Sequence, residues 1–271
     1  MPELPEVETT RLGLEPWLVG RKVRRITVHD ARLRWPVDPQ LGERLRRREL
    51  LAIDRRAKYL LFRFRHGTLI GHLGMSGSMR ITSAQEERRK HDHVEIDFGD
   101  DRVLRYHDPR RFGFLLWTED DAEQHPRLRE LGPEPLGEDF DGAHLAARAA
   151  GRKVASKAFL MDPKVVVGVG NIYASEALFR AGIRPSRAAG RVARARWDLL
   201  VDAVRAVLSE AIEDGGTTLR DFLGSDGEPG YFVQNLRVYD REGEPCPNCG
   251  QAIRRSVIGQ RASYFCAACQ R

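Results

Sequence analysis

Four cysteines constrain this chain more tightly than any other feature. Cys246-Pro-Asn-Cys249 and Cys266-Ala-Ala-Cys269 are separated by sixteen residues, and no other cysteine occurs among the 271 residues. Each Cys-x-x-Cys turn presents two thiolates to one tetrahedral ion, and the spacer is long enough for a β-hairpin between the two knuckles. Four thiolates close a coordination shell, so the spacing predicts one structural zinc rather than a catalytic one. Two disulfides or free thiols are the alternatives. The confinement of every cysteine to the last 26 residues, in a chain that opens with no secretion pattern, favours the metal. Arg254, Arg255, Gln260 and Arg261 lie between the knuckles, so such a finger could reach phosphates, although fingers also contact proteins.

A length of 271 residues is enough for two modest domains, each with its own core. After an N-terminal helix that ends near Pro16 to Gly20, the hydrophobic period becomes two. Strand-like segments run through Val23-Ile26-Val28, Leu51-Ala52-Ile53, Tyr59 to Phe64 and Thr68-Leu69-Ile70. Val94-Ile96-Phe98, Val103 to Tyr106 and Phe114 to Trp117 continue the pattern. Short strands and tight turns predict an antiparallel sandwich or barrel over roughly residues 20–118. Residues 83–92 are highly charged and are expected to form a mobile surface loop.

Leu131-Gly-Pro-Glu-Pro-Leu-Gly137 marks a domain boundary, after which the period turns helical. His144 to Met161 is predicted as one helical stretch and Ile172 to Ala181 as another. Trp197, Leu200, Val201, Val204, Leu208 and Ile212 form an apolar stripe that ends at Asp214-Gly-Gly216. Residues 217–236 read as a long polar loop. No apolar run approaches the ~18 residues of a membrane span, which predicts a soluble, cytoplasmic protein. The formal charge of +6 suits a polyanion, but a solvated surface rich in arginine would look the same.

Two stretches carry possible chemistry. Removal of Met1 would leave Pro2 as a free secondary amine. That group attacks an aldehyde-like carbon to give a charged iminium, and it is partly unprotonated near neutrality because an α-amino group titrates near pH ~8. Glu3 is a carboxyl fixed beside it. Taken alone, Pro5 with Glu3, Glu6 and Glu8 also reads as an ordinary helix start. Gly168-Val-Gly170-Asn171 sits between helical segments, where a tight turn would point backbone N–H groups at an anion.

Five motifs occur in order: Pro2-Glu-Leu-Pro-Glu-Val-Glu8, His72-Leu-Gly-Met75, Asp108-Pro-Arg-Arg-Phe-Gly113, Gly168-Val-Gly-Asn-Ile-Tyr173 and the four cysteines. Together they resemble the formamidopyrimidine-DNA glycosylase family, bifunctional repair enzymes that act on 8-oxoguanine. The resemblance extends from Pro2 to Cys269. It implies an α+β multidomain chain: an N-terminal antiparallel β-sandwich over residues 1–130, a helix–two-turn–helix domain with a lesion-recognition loop over 131–236, and a four-cysteine zinc β-hairpin finger over 237–271. Damaged double-stranded DNA would lie between the domains. The implied protein is a monomer that needs no membrane, no nucleotide cofactor and no metal beyond the one zinc.

The resemblance also implies roles. Pro2 is the nucleophile at C1′, Glu3 the acid that assists ring opening, Lys58 an aid to β-elimination, and Arg261 a phosphate contact associated with δ-elimination. His72, Lys157, Asn171 and Tyr239 match phosphate contacts, and His91, Arg110 and Lys153 match further DNA contacts. Arg220 falls where the family covers the flipped lesion. A stacked base cannot be attacked at C1′, so the nucleotide must leave the duplex. Met75 and Phe112 are the apolar wedge for the vacated space, with Arg110 donating to the orphaned cytosine. Two rivals stand beside this expectation. One is an endonuclease VIII-type enzyme for oxidised pyrimidines, disfavoured by Leu4 and by the Met75, Arg110 and Phe112 set; the other is a non-catalytic zinc-containing DNA-binding protein.

Overall fold

A computed structural model describes residues 2–217 and 232–271. The chain divides into two compact units, Met1–Arg129 with Asp214–Tyr231, and Glu130–Glu213 with Phe232–Arg271. Arg220 and most of the long polar loop lie outside the described residues.

The first unit opens with α1 (Leu4–Leu18). Its strands are β1 (Arg25–Val28), β2 (Leu50–Arg56), β3 (Tyr59–Phe64), β4 (Gly67–His72), β5 (Ser78–Ser83), β6 (Asp92–Asp97), β7 (Arg102–His107) and β8 (Phe114–Thr118), with a short helix α2 (Leu41–Leu45) between β1 and β2. They form two antiparallel sheets, ordered β1-β6-β7-β5 and β2-β3-β4-β8. Inward-facing residues of both sheets, among them Ile53, Leu60, Phe62, Val94, Ile96 and Leu104, share one core with Val7 and Leu14 of α1. This is the predicted sandwich.

Strand β5 goes beyond the sequence reading: Met79 and Ile81 turn to the core, and between them Arg80 is buried on the other face of the sheet. Its guanidinium donates to both carboxylate oxygens of Asp92, at 3.1 and 2.8 Å, and Asp92 also pairs with His107 at 2.9 Å. The charged stretch after β5 is exposed but anchored. Buried Arg105 donates to the carbonyls of Glu86 and Glu87 and to the Glu95 carboxylate, so the loop backbone satisfies a cation in the sheet.

In the second unit the single helix expected over His144 to Met161 is two, α3 (Gly142–Ala149) and α4 (Ser156–Leu160). Gly151 lies between them in the left-handed region, φ 69°, where a right-handed helix cannot continue. Helices α5 (Asn171–Arg180) and α6 (Arg194–Glu213) follow, and Trp197, Leu200, Val204 and Leu208 of the predicted stripe are buried. The Phe232–Asn235 end of the expected loop is a turn of 3-10 helix with Phe232 buried. The hairpin β9 (Arg254–Ile258) and β10 (Arg261–Phe265) closes the chain. No helix among the described residues is long and apolar enough to cross a membrane.

Candidate active site

Pro2 and Glu3 are both buried at the start of α1. Glu3 is extended, and its N–H donates to Glu6 Oε2 at 2.7 Å, the reciprocal arm of a capping box. Glu6 Oε1 accepts from the Thr217 N–H at 2.8 Å. One buried carboxylate therefore holds the backbone beside the candidate nucleophile and the segment entering the 218–231 stretch. Gly216 makes room for it, since a Cβ there would lie 3.1 Å from Glu6 Oε1. Sequence reasoning treated Glu6 only as a dipole partner.

Lys58 occupies the two-residue turn between β2 and β3, after Ala57, whose φ of 55° is left-handed. A non-glycine residue held there is strained, and its surroundings must enforce it. Arg55 contributes: its guanidinium donates to the Ala57 carbonyl at 3.0 Å and to Glu8 of α1 at 2.8 Å.

His72 ends β4, stacked on Phe114 with ring centroids 5.1 Å apart and an interplanar angle of 10°. Its Nδ1 accepts from the Gly74 N–H at 3.0 Å. Burial, and then the nearby charges of Lys58 and Arg34, bring its pKa down to about 4. The ring is therefore neutral at pH 7 with its proton on Nε2, a donor without charge.

Met75 and Phe112 are exposed on adjacent loops. A Cβ on Gly74 would lie 2.4 Å from the Gly113 nitrogen, and one on Gly113 would lie 1.9 Å from Tyr106 Oη. The two loops thus meet backbone to backbone. Asp108, fully buried, accepts from the Gly113 N–H at 2.8 Å, and Tyr106 Oη donates to the His72 carbonyl at 2.9 Å. Exposed Arg110 lies over the Phe112 ring, 5.0 Å from its centroid. His91 lies near the end of the charged stretch with its ring 5.9 Å from that of His107, and burial, then the His107 charge, lowers its pKa. The structure thus brings Lys58, His72, Met75, His91, Arg110 and Phe112 to strand ends and turns of one unit.

In the second unit, Asn171 begins α5, and its Nδ2 donates to Tyr239 Oη at 3.3 Å. Glu176, buried on α5, accepts from the N–H groups of Arg237, Val238 and Tyr239 at 3.0, 3.0 and 2.8 Å. It fixes the backbone that carries Tyr239. Sequence reasoning missed it, and the available signal was its helical phase with buried Ile172, Tyr173 and Phe179. Lys153 is exposed between α3 and α4. Lys157 is buried, and its Nζ donates to the Ala262 carbonyl and Ser263 Oγ at 2.9 and 3.0 Å, tying α4 to the finger.

Arg261 is exposed beside the β9–β10 turn, whose central residues Gly259 and Gln260 have φ of 55° and 62°. Both values are positive, as a type I′ hairpin turn requires. The sulfurs of Cys246, Cys249, Cys266 and Cys269 all lie within 4.8 Å of one another. Two of the pairs are 3.9 and 3.5 Å apart. A disulfide holds its sulfurs at about 2.05 Å, whereas thiolates about 2.3 Å from a tetrahedral zinc stand roughly 3.8 Å apart. The donor set fits zinc, and this finger holds one structural zinc.

The chain matches the family models described as formamidopyrimidine-DNA glycosylase N-terminal domain over residues 1–115, formamidopyrimidine-DNA glycosylase H2TH domain over 131–222, and zinc finger found in FPG and IleRS over 243–271. It is 59% identical over 271 residues to a formamidopyrimidine-DNA glycosylase of Methylococcus capsulatus, with all of both chains covered. Its structure is similar to that of the MutM (Fpg) protein of Thermus thermophilus, with a TM-score of 0.88, 40% identity, and coverage of 99% of this chain and 98% of that one. It is also similar to wild-type Lactococcus lactis Fpg in complex with DNA containing N7-benzyl-Fapy-dG, with a TM-score of 0.92, 35% identity and full coverage of both chains.

Proposed function

The chain belongs to the formamidopyrimidine-DNA glycosylase family, and we propose that it excises oxidised purines such as 8-oxoguanine and formamidopyrimidines from duplex DNA and then cuts the strand. The observation that carries this reading is the buried Pro2-Glu3 end of α1, held by Glu6, in a chain that matches the family along its length. With Met1 removed, the Pro2 nitrogen attacks C1′ and the damaged base departs. Glu3 protonates the sugar ring oxygen as the ring opens, leaving an iminium between Pro2 and C1′. That iminium acidifies the C2′ protons, so the 3′ phosphate leaves by β-elimination, assisted by Lys58. The 5′ phosphate leaves by δ-elimination with Arg261 on it.

Met75 and Phe112 fill the gap in the stack while Arg110 donates to the widowed cytosine. Neutral His72 donates Nε2–H to a phosphate, and Lys153, Lys157, Asn171, Tyr239 and His91 complete the backbone contacts. Arg220 covers the flipped base. The work is divided among 1–130, 131–236 and 237–271. The enzyme acts as a monomer without a nucleotide cofactor, and a chromosomal substrate puts its place of work in the bacterial cytosol.

Borohydride trapping tests this reading. It should join the protein to lesion-containing DNA through the N-terminal peptide beginning at Pro2, as mass spectrometry would show. A chain retaining Met1 has an amide nitrogen at Pro2, with its lone pair delocalised, and should bind damaged duplex yet form no adduct. An adduct on Lys58 would overturn the assignment.

A further inference from the structure

Two short segments of the first unit hold a concentration of charge that the proposed site does not use. Arg21-Lys-Val-Arg-Arg25 and Arg44-Leu-Arg-Arg-Arg48 together carry eight of the chain's 45 basic residues and no acidic one, which exceeds the formal charge of the whole chain, +6. The fold lays them side by side. The Val23 N–H donates to the Arg48 carbonyl at 2.9 Å and the Arg47 N–H to the Val23 carbonyl at 2.7 Å; the Leu50 N–H donates to the Arg21 carbonyl at 2.9 Å. Buried Val23 pins the pair to the core. Arg47 is left-handed, φ 62°, in a turn where glycine would be unstrained.

Arg21 pairs with Asp100, and Arg44 with Asp38 and Glu119. The other six cations, Lys22, Arg24, Arg25, Arg46, Arg47 and Arg48, are exposed and make no ion pair among the described residues. Arg24, Arg25 and Arg46 line a cleft of about 600 Å³, of which Glu43 and Asp97 are the acidic members.

Strand register places this surface away from the site. Lys58, His72, Met75, His91, Arg110 and Phe112 all lie at or beyond the sheet ends where Arg56 pairs with Tyr59, His72 with Phe114, and Asp92 with His107. The arginine segments adjoin the other ends, where Leu50 pairs with Phe64 and Arg25 with Asp97. The seven residues of β2 that separate the two ends span about 20 Å at roughly 3.3 Å each.

We propose that this surface is a second site for the phosphate backbone of duplex DNA, which engages a segment other than the one at the lesion site. The proposal rests on the reading that the chain works on DNA. Guanidinium forks match phosphate oxygens in pairs, and six unpaired cations on a fixed backbone neutralise phosphates without reading sequence. An enzyme that holds one duplex segment is surrounded by others, so a second backbone contact would let it pass between segments without first dissociating.

The test compares the zinc-loaded full chain with a variant carrying Arg24→Gln, Arg25→Gln, Arg46→Gln and Arg48→Gln, leaving Arg47 because its backbone is unusual. A milder Arg46→Gln/Arg48→Gln variant guards against misfolding of the first. Energy transfer between a donor-labelled lesion duplex and an acceptor-labelled lesion-free duplex reads bridging; strand cleavage of the lesion duplex reads the primary site. The expected result is bridging by the unmodified chain, weakened about tenfold or more in the fourfold variant, with the salt slope for the second duplex lower by about one unit per engaged arginine. Cleavage of the lesion duplex should be unchanged. Absence of bridging by the unmodified chain, or equal bridging by the variants, overturns the proposal. Parallel loss of cleavage would assign the patch to the lesion surface and overturn it as well. Displacement of the second duplex by polyglutamate as readily as by DNA would assign the patch to an acidic protein instead. Were the lesion duplex not bound at all, the primary reading would fail, and the affinity of each chain for lesion-free duplex alone would still decide the patch.

Discussion

The β2–β3 and β9–β10 hairpins each present a proposed catalytic cation at a tight turn, Lys58 in one and Arg261 beside the other, yet they are held in opposite ways. The first lies on a core of twenty-one buried residues, among those described, drawn from both sheets, α1, α2 and the segments between them. The second has a cluster of six, two of them zinc ligands and one, Phe179, lent by α5. Even the turns differ. Each turn holds one non-glycine residue in the left-handed region, Gln260 in the finger and Ala57 in the sandwich, but the finger sets Gly259 beside it, whereas Arg55 and the core keep Ala57 there. A large core can enforce a strained turn. A small one needs a metal.

The strongest way to break this contrast is to remove one thiolate. Cys249→Ser should abolish stoichiometric zinc and unfold the finger, because metal binding supplies on the order of 10–16 kcal/mol to such modules. Affinity for damaged duplex should fall roughly 100-fold, the value of one or two charge-assisted phosphate contacts, while the sandwich melts as before. Atomic absorption with a binding titration would check both, and wild-type affinity without zinc would contradict the contrast. The complementary change is Leu60→Ala, which opens a cavity in the first core. It should cost about 2–5 kcal/mol in denaturant unfolding and leave zinc content intact.

Glu176→Gln probes an intermediate case. The amide keeps the shape but loses the charge that three N–H groups share, so unfolding of the second unit should ease by about 1–3 kcal/mol. Damaged-duplex affinity should weaken with it, through Tyr239.

The smallest effect separates the two cations from a neutral donor. Arg261→Ala should flatten the slope of log affinity against log salt by about one unit, whereas His72→Gln should leave the slope unchanged near neutrality because His72 carries no charge there. The same depressed pKa has a consequence for stability. The ordinary value is 6.5 and the folded one about 4, so the contribution is complete above 6.5 and lost as pH falls through 4. Thermal melts across that window should show a decline that His72→Gln blunts.

These contrasts also explain what the sequence could disclose. Alternating apolar residues such as Val94, Ile96 and Phe98 revealed strands because their partners are generic: any neighbour with an apolar face will serve. Strand β5 escaped because only Met79 and Ile81 mark its core face, and the Arg80 between them, buried on the other face of the sheet, depends on Asp92, twelve residues away in sequence. Likewise the tertiary roles of Glu6 and Glu176 were hidden, since the Thr217 N–H that Glu6 holds lies 211 positions away and those that Glu176 holds lie 61 to 63 positions away. The helical period suggested one stretch from His144 to Met161, and periodicity does not report that Gly151 is left-handed. The cysteine spacing was legible because all four ligands are local and a metal needs nothing else.

The interlocked glycines have a consequence for how such chains can be recombined. Gly74 and Gly113 leave no space for a Cβ on either side of the seam between their loops. Met75 and Phe112 are therefore two blades on one mount, and the loops that carry them form a single cassette despite lying almost forty positions apart. A chimera that imports residues 72–77 from a relative while keeping its own 106–113 inherits two halves of a joint cut to different patterns. Only a transfer of both halves together preserves the edge.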